Sequence, residues 1–193
     1  RTKEQHMKTN KARFFPLVLG SVLLVVGLGL AQAPAGPPKP GPEHQKLAYF
    51  AGKWTNEGDM KPSALGPGGK FSSSSTCEWF DGNFALVCHT DGATQTGSMK
   101  GLSIMGWDPA AKTYTYFSTN SSGQGGFSRG TVKGDTWTWN NETTMNGKPM
   151  VVRFTLKQVS PDVATYKFEM GAPGEPLKLM MDGKQTRVTL ASN

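Results

Sequence analysis

Charge is what this sequence of 193 residues has least of: 18% of it is Asp, Glu, Lys or Arg, against about 25% in ordinary globular chains. Long exposed helices and coiled coils need dense charge on their wet faces, so both are excluded as the main architecture. Cysteine and histidine are scarce too. Two cysteines and three histidines, with no histidine after His89, leave no Cys/His cluster at metal-ligand spacing. The same gap removes the Ser, Asp, His chain order of the α/β hydrolases. The formal net charge of +7 suggests a polyanion partner until it is divided along the chain. Residues 1–33 hold five of the 21 bases and one of the 14 acids, which leaves 16 bases, 13 acids and a balance of +3 for the remainder. That excludes a strongly basic nucleic-acid binder. What is abundant is glycine and proline, 24 and 13, a composition for many turns and therefore for a β protein.

The long apolar run is confined to the N-terminus. Met7 to Arg13 carry three positive charges, and Phe14 to Leu30 are uncharged and mostly apolar, the n- and h-regions of a secretory signal peptide. Arg1 to His6 stand upstream of a start at Met7. Gly29 and Ala31 suit the positions before a cleavage site, which places the cut after Ala31; an uncleaved membrane anchor is the alternative. The expected domain organisation is upstream residues and signal peptide over 1–31, a Pro-rich linker over 32–42 and one folded domain over 43–190. Export to the periplasm or beyond is the expected localisation, with membrane contact only through an uncleaved signal segment.

Pro42 to Ala51 read as a short helix, with Leu47, Phe50 and Ala51 on one apolar face and Gly52 as its stop. After it come about ten β-branched and aromatic runs. They lie near 53–61, 70–80, 84–92, 97–107, 113–120, 126–133, 136–144, 148–159, 163–170 and 177–188. Links as short as Gly134-Asp135 and Asn146-Gly147 force antiparallel neighbours, because a parallel return needs a crossover of a dozen residues. Such a meander either exposes two edges or closes. The expected fold is all-β, a closed antiparallel up-and-down barrel of about ten strands with a short N-terminal helix; a two-sheet sandwich is the alternative.

In an oxidising compartment the even pair Cys77 and Cys88 favours a disulfide over free thiols or a metal site. A four-residue turn over Asp81 to Phe84 opposes the two at a closely spaced, non-hydrogen-bonded position, with Trp79 opposite Leu86. A two-residue Gly82-Asn83 turn makes the same pair hydrogen-bonded and slightly too wide.

Leu47-x-x-Phe50-x-Gly52-x-Trp54 resembles the first helix and strand of calycin-type barrels, the group of lipocalins and fatty-acid-binding proteins. Cys77-Glu78-Trp79-Phe80-Asp81-Gly82, Gly106-Trp107-Asp108-Pro109, Val159-Ser160-Pro161-Asp162 and Thr186-Arg187-Val188 resemble, more narrowly, the secreted bacterial family filed as domain of unknown function 1579, over Glu43 to Val188. The resemblance implies a barrel with an internal cavity and no established activity. It also implies that Trp54 packs at the closed end against a basic side chain of the last strand, where Arg187 stands.

Gly126-Phe127-Ser128-Arg129-Gly130 matches the G-x-S-x-G nucleophile elbow, but a strand follows it and no base is left to serve it. Fatty-acid-binding relatives hold an anionic head group with interior Arg and Tyr, roles open here to Arg153, Arg129, Tyr114 and Tyr116, with Trp139 among the aromatics beside them. Arg153, mid-strand in Met150 to Leu156, is the expected anchor; alternation equally allows both arginines to lie outside in water. The expected function is non-enzymatic binding of a small apolar or amphipathic anionic ligand, with no cofactor. A structural or protein-interaction module with a packed lumen is the alternative, and nitrobindin-like haem binding a weaker one for want of a late histidine.

Overall fold

The structure, a computed structural model, describes residues 38–63, 66–94 and 97–189. The signal-peptide reading and linker residues 32–37 lie outside the described residues. Chain order begins with a short helix α1 (Pro42–Lys46), which runs directly into a 3-10 turn, Leu47–Phe50. Pro42 opens α1 with its fixed φ, and the Gly41 N–H donates to His44 Nδ1 at 3.2 Å. Leu47 and Phe50 are buried, so the two elements together form a plug with one apolar face. The plug turns into the first strand through Gly52 at φ 101°, a left-handed conformation in which any Cβ also meets Arg187 Nη1 at 3.1 Å.

Ten strands follow: β1 (Gly52–Met60), β2 (Gly69–Trp79), β3 (Ala85–Thr94), β4 (Gly97–Asp108), β5 (Thr113–Asn120), β6 (Gly125–Lys133), β7 (Thr136–Met145), β8 (Lys148–Ser160), β9 (Val163–Gly171) and β10 (Lys178–Arg187). Each pairs antiparallel with its neighbours in sequence, and β10 returns to β1 in a ladder from Trp54↔Arg187 to Met60↔Met181. That last ladder closes the barrel and sets the sandwich aside. No edge is left in the sheet. No helix among the described residues is long and apolar enough to cross a membrane.

The β2–β3 turn decides the cysteine geometry. Phe80 N–H donates to Ala85 O at 2.9 Å, closing a four-residue loop over Asp81 to Phe84. Counting back from that hydrogen-bonded pair, Trp79↔Leu86 and Cys77↔Cys88 fall at the closely spaced positions. The two cysteines form a disulfide, with their Cα atoms 4.0 Å apart.

Because side chains alternate along a strand, these registers sort every strand into an inward and an outward row. At one end of the barrel the inward residues Trp54, Leu86, Tyr114, Trp137, Leu156 and Ala164 are buried in the core together with Leu47 and Phe50 of the plug. The plug closes this end.

Candidate functional site

Going from the plug toward the other end, the inward rows change character. First comes an aromatic layer: Trp139 stacks on Trp137 at 5.5 Å and 12°, and Phe154 stacks on Tyr166 at 5.8 Å. Tyr116 stands 6.2 Å from Trp139, ring centre to ring centre. Trp139 fits only because its strand neighbour is Gly130, where a Cβ meets the indole at 2.6 Å. Above this layer the inward wall is mixed: Met60, Phe71, Met150, Val152, Phe168 and Met181 are apolar, and Asn56, Ser73, Ser75, Thr90, Ser103 and Gln185 are polar. Polar members bond to one another. Asn56 Nδ2 donates to Ser73 Oγ at 3.2 Å and to Ser75 Oγ at 3.4 Å, and Ser75 Oγ shares a hydrogen with Thr90 Oγ1 at 3.0 Å. Ser103 hydrogen-bonds the Tyr116 hydroxyl.

Residual exposure shows which end is open. A side chain that points into a barrel meets water only through the lumen, and Asn56, Ser73, Ser75, Thr90, Tyr116, Phe154 and Gln185 are all half-buried, whereas Trp54, Leu86, Tyr114, Trp137, Leu156 and Ala164 at the plug are buried. The barrel is thus a cup with an aromatic floor and a wall that combines hydroxyl and amide groups with Phe71, Val152 and Met181. Among the described residues, the inward rows carry no charged side chain between the floor and the polar wall, Arg187 lying beneath at the plug and Lys148 and Lys178 at the mouth. Burial pushes the Tyr116 hydroxyl up, with the Ser103 bond partly opposing, and burial together with the charges of Asp182 and Glu57 raises Tyr166 far above the ordinary phenol range. Both phenols therefore stay neutral at any physiological pH.

The expected anchors stand elsewhere. Arg153 is exposed on the outward row of β8, its Nε donating to Asn140 Oδ1 at 3.3 Å, while its neighbours Phe154 and Leu156 take the inward side. Arg129 is likewise outward, ion-paired with Asp108 at 3.5 Å and 5.5 Å over the Phe127 ring. The reading of both as lumen anchors is corrected: the greasier face of each strand is drawn inward, and the guanidinium groups keep their hydration outside. Tyr114 does point inward, but at the plug. Its hydroxyl donates to Glu43 Oε2 at 2.6 Å, which ties the plug to β5 and removes Tyr114 from any ligand. Tyr116 and Trp139 are the two of the five expected ligand residues that reach the cup. Trp54 and Arg187 meet beneath it, 4.2 Å from guanidinium carbon to ring centre. Of the described histidines, His44 packs edge-on against Phe84 at 5.1 Å and His89 is exposed on the outward row of β3, so neither serves the lumen.

Sequence reasoning missed the polar wall. Ser72-Ser73-Ser74-Ser75 offers the same residue to both faces, so no alternation marks Ser73 and Ser75 as inward. A groove of about 1200 Å³ is lined by charged side chains of β1, β2, β8, β9 and β10 together with the rings of Phe71 and Tyr166. Two of its three acids pair with lysines, Asp59 with Lys70 at 2.9 Å and Asp182 with Lys61 at 2.5 Å. The cup combines apolar area with converging polar groups.

Residues 39–187 match the family described as Protein of unknown function (DUF1579). Among solved structures, the crystal structure of Rv2717c from M. tuberculosis is similar, with a TM-score of 0.54 and 15% identity over 77% of this chain and 99% of that one. At that identity the likeness is one of fold. No curated protein sequence matches the chain.

Proposed function

We propose, for a chain that belongs to the DUF1579 family, that the cup binds a small uncharged molecule with an apolar body and a hydrogen-bonding end, and does no chemistry on it. The observation that carries this reading is the uncharged cup: aromatic rings below, neutral hydroxyl and amide groups beside apolar side chains above, and no charge in either layer among the described residues. An apolar body displaces water from the rings, worth about 25 cal/mol per Å² buried. The polar end replaces water on Asn56, Ser75, Thr90 or Tyr116. An anionic head group finds no cation there and would forfeit its hydration, so the anionic ligand expected from the sequence gives way to a neutral one. A packed lumen is the competing reading, and the half-buried state of the inward wall speaks against it.

Two probes that share one aromatic body separate the possibilities. N-phenyl-1-naphthylamine is neutral, and 8-anilinonaphthalene-1-sulfonate adds a sulfonate. The neutral probe is expected to bind with enhanced fluorescence, at least tenfold more tightly than the anionic one, and Ser75→Phe, which puts a ring into the cup, is expected to abolish it. Arg153→Met is expected to change neither. Neutral-probe binding that survives Ser75→Phe, or that falls with Arg153→Met, would reject the reading.

A further inference from the structure

The outside of the barrel carries one face unlike the rest. Ile104, Phe117 and Phe127 are 40%, 45% and 48% exposed, large values for apolar side chains. They are not scattered, because the registers place Val87 beside Ile104, Ile104 beside Phe117 and Phe117 beside Phe127, one continuous row across β3, β4, β5 and β6. The flanking outward rows add His89, Leu102 and Thr119 on one side and Ala85, Gly106 and Thr115 on the other. Charge borders the row, as Glu78 beside Val87, Asp108 with Arg129 at 3.5 Å and Asp91 with Lys100 at 2.9 Å. A contiguous apolar row bordered by charges is the composition of an interface.

We infer that the occupant of this face is a second copy of the same chain, packed about a two-fold axis that runs along β5 through Phe117. That operation sets Phe117 on Phe117 and brings Ile104 of each copy onto Phe127 of the other. It also exchanges the β4 rim with the β6 rim, so that Asp108 of each copy approaches Arg129 of the other. The contacts of β4, β5 and β6 are self-complementary in sign, as an isologous contact requires, and Val87 on β3 lies outside them. Four strands span about 14 Å, so the patch is smaller than the roughly 800 Å² per partner of a stable dimer, and the association is reversible.

Sedimentation velocity of the full chain over a wide concentration range tests this. Wild type is expected to pass from monomer to dimer as concentration rises, and Phe117→Asp to weaken the dimer at least tenfold with an unchanged thermal midpoint. Asp108→Arg and Arg129→Asp are each expected to weaken it, and the double reversal to recover it. If Phe117→Asp fails to fold, the reversal series decides alone. A chain that stays monomeric throughout, a dimer indifferent to Phe117→Asp because the apolar run of residues 14–30 holds it, or a double reversal no better than the singles would each overturn the inference.

Discussion

Arg187 lies over the indole of Trp54 at 4.2 Å, and the two residues are also direct partners in the ladder that joins the last strand to the first. The same guanidinium donates to Ala51 O and to Tyr49 O, and pairs with Asp162 at 3.1 Å. The Trp54 N–H in turn donates to Phe50 O at 3.0 Å. Barrel closure and plug therefore share one contact. Trp54→Ala is expected to cost about 3–5 kcal/mol as a large core truncation, and Arg187→Ala is expected to be non-additive with it. Arg187→Lys is expected to fail as a replacement, since an ammonium cannot span two carbonyls and a ring. Chemical denaturation of the single and double variants measures the coupling, and additive losses would refute it.

The Cys77–Cys88 bridge closes a loop with a sequence separation of 11. Loop-closure entropy for so short a loop gives a stabilisation of about 2–3 kcal/mol. Reduction, or replacement of both cysteines by alanine, is expected to lower the unfolding free energy by that amount, and the denaturation midpoint with it, while leaving the far-UV spectrum of the barrel unchanged. A midpoint indifferent to reductant would contradict it.

Gly130 is the seat of Trp139. Gly130→Ala drives a methyl group into the indole, which stands 2.6 Å from where its Cβ falls and is itself held by Trp137 and Phe154. Overpacking of this kind costs about 1–3 kcal/mol. The near-UV circular dichroism of the stacked indoles is expected to change with it, whereas Gly134→Ala, with nothing near its Cβ but a φ of 59°, is expected to cost stability without that spectral change.

Three inward phenols set an alkaline limit. Tyr114, Tyr116 and Tyr166 all have their hydroxyl raised, chiefly by burial, and Tyr114 further by the Glu43 carboxylate. A raised phenol holds its proton in the folded state where the unfolded chain releases it near pH 10, so the folded state binds more protons and stability falls as pH rises past that value. The stabilisation is complete below pH 10 and is lost above it. Thermal melts from pH 8 to 11 are expected to fall steeply past pH 10 and to fall less in Tyr166→Phe. Parallel curves for the two proteins would sink the assignment.

Much of the fold was legible because its signals are local. The eight residues Thr113–Asn120 read as a strand from composition alone and form one, and the Asp81 to Phe84 turn set the register that pairs Cys77 with Cys88. Each depends only on neighbours within a hairpin. The short links also required antiparallel order, and an antiparallel meander of this length closes more readily than it tolerates edges.

Which face of each strand is the inside was decided only by the tertiary structure. Alternation along Met150 to Leu156 separates Val151, Arg153 and Thr155 from Val152, Phe154 and Leu156, yet both sets hold apolar residues, and a period of two carries no sign. Closure against the plug supplied the sign: Leu156 meets the buried Trp137 and Phe154 meets Trp139, so Arg153 and Arg129 were turned out into water and the anionic anchor went with them. The serines of β2 were decided in the same way, since identical residues on successive positions carry no preference until a barrel gives one face an interior. Strand, turn and pairing follow from the chain's own covalent neighbours; inside and outside exist only once the ten strands enclose a volume.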